Sequence, residues 1–424
     1  MLWRRAALSV VLAAALAVFV RAVHAAYPLE FWLVWRYAGY WLACLAWAAA
    51  CLAAGTALTA RLLPGRARTG ERLLAASAAG VYVFFLGTFL AGIAGWFGTA
   101  FFLAWPALLL GGFARPAWRV LGPRIRRHVR AVAHSRPRPL AVRVWRAVLV
   151  ALGITAAAVV YIGILVPHQI GFDARWYHLA IAEHYVADGG ISAFREGWYI
   201  GAYPHLSSVL YAWAFMVPGG ALFDQVALAL HLEYTLFLAT LAGIAVLARA
   251  LIARPRLRHA WVALFLFPAL FVFDSALIAG ADHVAAFWAP VLALLALRAW
   301  RTHRTGVWLL LAVAVAGALL TKYSAVLIVA FPALALALRV LWRALRPGDR
   351  GRWLAAAGVA FAAVLTLTAP HWLKNLAWYG DPLYPYLHER VEERIWNEDA
   401  TYLRRHMMAS LAVAPQGTPA ERLA

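Results

Sequence analysis

The stretch GFDARWYHLAIAEHYVADGG (Gly171–Gly190), continued by EGWYIGAYPH (Glu196–His205), is the part of the chain around which the rest is best interpreted. It is the longest polar segment between apolar runs, and residues 171–205 carry four acidic residues against two arginines. Most other polar segments carry arginine and almost no acid. Carboxylates beside aromatic and histidine side chains at a membrane edge are typical of functional sites. We therefore expect the chemistry of this protein in segment 171–205.

From the sequence alone, Asp173 can be interpreted in two ways. As a structural residue it would cap a helix that runs from Ala174 to about Ala187 and ends at Gly189-Gly190. As a functional residue it would be a reactive carboxylate, and one side chain can serve both purposes. The sequence leaves both readings open.

The composition predicts an all-α polytopic membrane protein. Hydrophobic residues make up 65% of the 424 residues and charged residues 13%, which is more apolar surface than a soluble fold can bury. The formal net charge of +21 comes mainly from arginines in short segments between apolar runs, as in cytoplasmic loops. This placement argues against nucleic acid as a partner. Cys44 and Cys51, the two cysteines of the chain, lie seven residues apart on one apolar helix and cannot bond to each other.

Arginine placement predicts about eleven transmembrane helices with a cytoplasmic N-terminus. The strongest signal is Arg115–Arg146, with ten arginines and no acidic residue. Val23-His24-Ala25 could be a signal-peptidase site, but we expect the first helix to be retained. The predicted spans are 6–20, 31–60, 73–96, 98–112, 147–166, 223–247, 259–273, 282–297, 306–320, 324–340 and 353–368.

These spans divide the chain into four parts. Residues 1–112 form an N-terminal four-helix membrane extension, and residues 113–146 form a basic cytoplasmic loop that touches anionic lipid. Residues 147–371 form a transmembrane core with an external loop at 167–222, and residues 372–424 form an external C-terminal tail. Leu206–Val217 is too short to cross the membrane without reversing the later loops, so we expect a juxtamembrane helix in the interface.

Several ionisable residues fall near membrane depth, where charge is costly. Asp282 begins a span and could be an N-cap, and Lys322 could be an ordinary snorkelling lysine. His231 and Glu233 lie deeper, and a structural role is the simpler interpretation for them. Histidines near Asp173 raise the question of a metal, but their spacing matches no zinc signature. Oxygen-bound Mg²⁺ or Mn²⁺ stays open.

Nucleotide-binding motifs are absent from the sequence, since neither a GxGxxG after a strand nor a GxxxxGK[ST] occurs. Five short motifs instead follow one another along the chain on the predicted external side. They are DARWYH (Asp173–His178, D-x-x-x-Y-H), Tyr203-Pro204, the span-starting Asp282, Gly317–Tyr323 (G-x-x-x-x-K-Y) and Asn375–Pro385 (N-x-x-x-Y-G-D-P-L-Y-P).

With these motifs, residues 147–390 resemble the GT-C superfamily of polyprenyl-phosphate-dependent glycosyltransferases, which includes protein mannosyltransferases and lipid A aminoarabinose transferases. The resemblance implies a GT-C-like fold with juxtamembrane helices in the first large external loop. It also implies transfer of a sugar, with inversion, from a polyprenyl-phosphate donor to a glycan, lipid or protein acceptor. Ala174 follows Asp173 where the family carries an Asp-Glu pair.

The resemblance also implies roles for particular residues. Asp173 would be the catalytic base and Lys322 the cation that stabilises the leaving phosphate. The implied substrate-binding residues are Arg175, Tyr177, His178, Tyr203, His205, Asp282, Lys374, Asn375 and Tyr384. No resident metal is assigned to the site, although Mg²⁺ or Mn²⁺ stays open as a cofactor. Membrane lipid is a further partner.

The expected location is the inner (cytoplasmic) membrane of a bacterium, with the active face toward the periplasm. Two other functions stay open at this level. A transporter or flippase of lipid-linked or anionic solutes would need inverted repeats or broken midplane helices, which the sequence does not indicate. A non-catalytic membrane scaffold would not need Asp173.

Overall fold

A computed structural model describes residues 2–63, 67–134, 139–165, 170–252, 279–346, 348–387, 390–391 and 395–412. Within these ranges the chain is helical and contains no strand. The helices are α1 Leu2–Ala26, α2 Leu33–Leu62, α3 Thr69–Ile93, α4 Thr99–Ala133, α5 Leu140–Ile164, α6 Leu179–Ala187, α7 Leu206–Phe215, α8 Leu222–Leu251, α9 Asp282–Arg301, α10 Thr305–Thr321, α11 Val326–Ala344, α12 Arg350–Tyr379 and α13 Glu398–Ala412.

The all-α membrane class is confirmed. In the described ranges, nine helices are long and apolar enough to cross a bilayer, namely α1 to α5, α8, α9, α11 and α12. Helix α10 is apolar but has 17 residues, and the span predicted at 259–273 lies outside the described residues. The total of eleven spans therefore stays a prediction.

Helices α2 and α3 pack with their backbones almost in contact. A Cβ placed on Gly55 would lie 1.8 Å from the Ala76 carbonyl oxygen, and one on Gly80 would lie 1.8 Å from that of Cys51. Small residues at helix contacts allow this approach, which matters in lipid because van der Waals packing drives association there. The same two helices also pack against α7, α8, α9 and α10, so the N-terminal helices belong to one bundle with the rest.

The bundle has two chemically different ends. At one end the Arg298 side chain, near the end of α9, forms an ion pair with Glu71 at the start of α3. There the Arg68 side chain also donates to the Arg249 carbonyl at the end of α8 (3.2 Å). We call this the basic end. The opposite end, where α9 begins, α10 ends and segment 171–205 lies, is called the site end.

Two predicted segment boundaries fall inside helices. Helix α4 runs to Ala133, so most of the segment 113–146 is helical and not a loop. Alanine, leucine and arginine are good helix formers, and they carry the helix past three prolines. Helix α12 runs through Pro370 to Tyr379, so the boundary predicted between 371 and 372 falls inside a helix. Left-handed Gly380 (φ 81°) ends it.

The helix predicted at Leu206–Val217 is present as α7, and it is enclosed by other helices instead of lying on the protein surface. All ten residues of α7 are buried, and the helix packs against α6, α8 and α3. A helix that is apolar all round is stable when protein surrounds it, whereas an interfacial helix needs a polar face. Helix α7 therefore forms part of the core beneath the site end.

The orientation stays a prediction from the arginine segments, which place the site end outside the cytoplasm. Single cysteines at two exposed positions, Ala187→Cys at the site end and Arg130→Cys near the end of α4, test it on a background lacking Cys44 and Cys51. We expect a membrane-impermeant maleimide to label position 187 in intact cells. The cysteine at position 130 should be labelled only after the cells are permeabilised. Labelling of position 130 but not position 187 in intact cells would contradict the topology.

Candidate active site

Lys322 joins two of the predicted site residues. Its ammonium donates to Asp173 Oδ2 at 3.3 Å and to Asp282 Oδ1 at 3.1 Å. The Tyr177 hydroxyl donates to the same Asp173 oxygen at 2.9 Å. These residues lie up to 149 positions apart in sequence, so the fold assembles a carboxylate–ammonium–carboxylate group at the site end.

Asp173 is not an N-cap, which corrects the structural reading of this residue. Its backbone is already helical (φ −58°, ψ −38°), and its side chain makes no capping hydrogen bond. Tyr177 and Lys322 are its partners instead, since long-range donors compete with the local amides. Both bind Oδ2, and in the described chain Oδ1 accepts no hydrogen bond. The side chain is 40% exposed.

A break between α10 and α11 positions Lys322, whose backbone is extended (φ −161°, ψ 142°). Just before it, the indole of Trp288 from α9 lies over Gly317, where a Cβ would sit 2.3 Å from the ring. The indole N–H also donates to Thr321 Oγ1 at 3.0 Å. Trp288 thus fixes α10 against α9 beside the lysine. Sequence analysis missed this role of Trp288, because the spacing of Gly317 and Thr321 does not identify a partner on another helix.

A strained turn precedes Asp282. Ala279 (φ 57°) and Ala281 (φ 66°) adopt the left-handed conformation, which costs roughly 1–2 kcal/mol per residue without glycine. Buried Glu233 holds the turn by accepting the Ala279 N–H at 2.8 Å. Ala281 is the residue before α9, so Asp282 is the first helical residue and not its N-cap. The carboxylate points to Lys322 instead.

His231 has partners of its own, separate from those of Glu233. Its Nδ1 lies 2.7 Å from the Ala227 carbonyl oxygen, and its Nε2 lies 3.1 Å from the Tyr161 hydroxyl. The structural interpretation of this residue therefore agrees with its contacts. Glu233, in contrast, acts on the turn before Asp282, a role that its position in the sequence did not indicate.

Lys374 and Asn375 project from α12 into the buried region next to this group. The Lys374 side chain lies 5.3 Å from the Trp378 ring, and in the described ranges no carboxylate lies within ion-pair distance of it. The Asn375 amide donates to the Ala202 carbonyl at 3.2 Å, while its Oδ1 is buried without a partner in the described chain. A buried amide oxygen without a partner is costly unless a ligand or water binds it, and the Lys374 ammonium has an aromatic ring but no carboxylate beside it.

The charge of Lys322 acts on His178, and the charge of Lys374 acts on His205. Burial, together with the Lys322 charge, lowers the pKa of His178 to about 3. Burial, together with Lys374, lowers the pKa of His205 well below its ordinary value. Both rings are therefore neutral at physiological pH. His205 Nε2 donates to the Gly201 carbonyl at 2.6 Å, which leaves Nδ1 as a buried acceptor with no partner in the described residues.

Aromatic rings lie beside these polar groups. Tyr203 packs edge-on against Tyr323 with ring centroids 5.3 Å apart, and it stacks on Tyr386 at 6.1 Å. Tyr323 also stacks on Trp372 at 6.3 Å. Burial and the Asp173 charge raise the pKa of Tyr177, so its phenol keeps the proton that it donates. Tyr386, which is 57% exposed, was not predicted, since its tail position gave no signal.

Two predicted substrate-binding residues have different surroundings. Tyr384 is buried and stacks on Tyr379 with ring centroids 4.1 Å apart, in a cluster that anchors the segment after α12. Its ring therefore contributes packing. Arg175 is exposed on the turn of π-helix that precedes α6, and it is not among the residues that join Asp173 to Asp282.

The donor set does not fit a divalent cation that bridges the two carboxylates. The Lys322 ammonium lies between Asp173 and Asp282, in the position that such a cation would take. Among the described residues, no three His, Cys, Asp or Glu side chains are grouped as metal ligands. The geometry of this group thus suits an ammonium ion.

A cavity of about 660 Å³ also opens at the site end. Trp378 belongs to its lining and contacts the Lys374 ammonium, so the cavity adjoins the buried polar region. Its lining residues are His184, Asp188, Ser192, Ala193, Arg195, Glu196, Ala377, Trp378 and Ile395.

Comparison with known proteins gave no match to a protein-family model, a curated protein or a solved structure. The interpretation of the site therefore depends on its geometry and on the motifs that carry it.

The neutral state of His178 predicts acid-sensitive stability. Because its pKa is about 3 in the folded state and about 6.5 when unfolded, the unfolded chain binds an extra proton below pH 6.5. Stability should thus fall as pH falls, by about 2 kcal/mol from this residue between pH 7 and pH 5. Denaturant unfolding of the purified protein at both pH values should show a smaller acid loss in His178→Asn. Exposed His406→Gln serves as the control, and an unchanged acid loss in His178→Asn would contradict the assignment.

Proposed function

We propose that this chain is an integral-membrane glycosyltransferase of the GT-C type, which moves a sugar from a polyprenyl-phosphate donor to an acceptor hydroxyl. The observation that carries the proposal is the state of Asp173. One of its oxygens is held by Lys322 and Tyr177, while the other accepts no hydrogen bond in the described chain, and 40% of the side chain is exposed. A carboxylate held in this way is suited to accept a proton from a bound hydroxyl. The acceptor would be a glycan, a lipid or a protein.

In the proposed reaction, Asp173 Oδ1 takes the proton of the acceptor hydroxyl as its oxygen attacks the anomeric carbon of the sugar. A new carbon–oxygen bond forms on the face opposite the phosphate. The bond between the anomeric carbon and the phosphate oxygen breaks, and the polyprenyl phosphate leaves with the electron pair. The configuration at that carbon is inverted. Tyr177 and Lys322 hold Oδ2 and so keep the carboxyl group oriented while Oδ1 takes the proton.

Negative charge develops on the phosphate as it leaves, and fixed cations stabilise such charge most where water is excluded. Lys322 is one candidate cation. Lys374 is the second, and its buried side chain has no carboxylate partner in the described residues. An anionic ligand would satisfy this group. The neutral acceptor at His205 Nδ1 and the Asn375 amide oxygen could bind sugar hydroxyls nearby.

The proposed location is the bacterial inner membrane, with the N-terminus in the cytoplasm and the site end facing the periplasm. The arginine-rich segments support this orientation because such segments are retained on the cytoplasmic side. The apolar, exposed surfaces of the helices support contact with membrane lipid. A donor with a long isoprenoid tail would reach the site laterally from the bilayer.

Asp173→Asn should lower sugar transfer by at least roughly a hundredfold, since removing a general base typically costs about 10²–10⁴-fold. Asparagine keeps the shape and loses the proton acceptor. Transfer would be measured in membranes with labelled polyprenyl-phosphate sugar, at matched expression. Asp282→Asn removes the other carboxylate partner of Lys322 and should cost less than Asp173→Asn. Exposed Asp188→Asn should stay within about twofold of wild type.

The outcomes separate the competing functions. A transporter would move the labelled lipid without forming a glycosylated product. A scaffold would form no product in any variant. Equal losses in Asp173→Asn and Asp282→Asn would mean that Asp173 only positions Lys322.

Lys374→Met should slow transfer by at least about tenfold, because a donor to the leaving phosphate is lost at a site that excludes water. The same assay would be read at saturating donor to separate kcat from KM. Exposed Arg405→Met, which removes a cation outside the cavity lining, is the matched control. A kcat equal to that of wild type would exclude Lys374 from the stabilisation of the leaving group.

A further inference from the structure

Three arginines form a compact cluster at the basic end, on the last turns of α11 and just beyond it. Arg339 and Arg343 lie four residues apart on one face of the helix, and Arg346 follows three residues later, just beyond the helix end. Three tryptophans pack with them: Trp300 near the end of α9, Trp342 on α11 and Trp353 in the first turn of α12. The cluster is thus built from the ends of three helices.

Each guanidinium lies over an indole ring. The guanidinium carbon of Arg339 lies 5.0 Å from the ring centroid of Trp300, 4.5 Å from that of Trp342 and 5.7 Å from that of Trp353. That of Arg343 lies 5.1 Å from Trp342 and 5.3 Å from Trp353. That of Arg346 lies 3.7 Å from Trp342. Cation–π contacts of this kind favour fixed positions for the guanidinium groups. The fold therefore presents three like charges in a fixed arrangement.

These charges have no acidic partner in the part of the chain that the structure describes. Arg298 at the same end pairs with Glu71, and Arg352 pairs with Asp349. Arg339 instead donates from Nε to the Trp300 carbonyl at 3.3 Å. The Nε of Arg343 is buried and has no hydrogen-bond partner in the described chain. An anion from outside the chain would stabilise the three neighbouring cations and satisfy the unpaired donor.

An exposed apolar strip leads along α11 to this cluster. Leu334, Leu338, Leu341 and Leu345 are 60%, 58%, 57% and 78% exposed. In a membrane such a surface faces acyl chains, and the arginines follow it where the helix leaves the hydrocarbon. The anion that meets both features has a phosphate group on apolar tails.

We propose that Arg339, Arg343 and Arg346, stacked on the three tryptophans, bind the phosphate headgroup of an anionic phospholipid at the basic end of the bundle. Guanidinium groups bind phosphate through paired N–H donors, and basic pockets between transmembrane helices suit such headgroups. Phosphatidylglycerol fits the site because its headgroup carries one net negative charge. Phosphatidylcholine, whose choline neutralises that charge, fits poorly.

Native mass spectrometry of the full chain in detergent tests this proposal. Phosphatidylglycerol and phosphatidylcholine of the same acyl composition would be titrated separately, and inorganic phosphate would be added as a competitor. The test variant carries Arg339→Gln, Arg343→Gln and Arg346→Gln. The control carries Arg61→Gln, Arg301→Gln and Arg304→Gln, which remove the same charge at exposed positions outside the cluster.

We expect wild type to bind phosphatidylglycerol in preference to phosphatidylcholine. The test variant should lose at least about tenfold in affinity, since one arginine near an anionic surface contributes roughly fivefold. The loss of affinity in the control should be at least about fivefold smaller than the loss in the test variant. Equal losses in the two variants would reduce the effect to general surface charge. Competition by millimolar inorganic phosphate would show a site for free anions and overturn the lipid assignment.

A second variant covers the case in which the triple substitution unfolds the protein. Arg346 is exposed, so Arg346→Gln should fold, as size-exclusion chromatography would check. It should weaken phosphatidylglycerol binding by roughly fivefold. Arg346→Lys keeps the charge and loses the planar donor pair, so it should recover part of this loss. Wild-type affinity in Arg346→Gln would contradict the role of the cluster.

Discussion

The site end depends on one electrostatic constraint: two carboxylates lie close together at the membrane edge, and a cation must lie between them. Lys322 supplies that cation, with Asp173 at 3.3 Å and Asp282 at 3.1 Å. Without it the two acids would repel each other, although water screens part of that repulsion because 71% of the Asp282 side chain is exposed. The contact also ties segment 171–205 to the start of α9 and to the break between α10 and α11. One ammonium thus sets the relative position of three separate parts of the chain.

Several surrounding contacts hold the residues of this group in position. Trp288 fixes the end of α10 by its packing on Gly317 and its hydrogen bond to Thr321. Glu233 holds the left-handed turn before Asp282, and that strain persists because a buried acceptor compensates for it. Such strain tends to occur at functional sites. Asp173 Oδ1, which accepts no hydrogen bond in the described chain, and Lys374, which has no carboxylate within ion-pair distance there, are then the candidate groups for a ligand.

The sequence indicated those features that depend on composition and on local pattern. Long apolar runs require membrane helices whatever their neighbours are, so the helical class followed from composition. The motif order brought forward Asp173, Asp282 and Lys322, which the structure places in contact. Gly189 was expected to end a helix, and it does so with φ 71°.

Other features depend on partners distant in sequence, which a local pattern does not reveal. Asp173 was open to interpretation as a cap because local amides compete for its oxygens, but Lys322, 149 residues away, and Tyr177 bind its side chain. The length of helix α7 did not indicate its surroundings, since neighbouring helices bury all ten of its residues. In both cases contacts with residues distant in sequence outweighed the local preference.

The two ends of the bundle are joined most directly by α11. The span that includes this helix, Tyr323–Ala344, has 22 residues and would be about 33 Å long, close to the roughly 30 Å thickness of a bilayer core. Lys322 immediately precedes this span, and Arg343 and Arg346 lie at and beyond its other end. A helix of matched length with polar anchors at both ends has little freedom to slide along the membrane normal. A phosphate bound at the arginines would hold the lysine at a fixed depth, which is the depth at which it must meet both carboxylates.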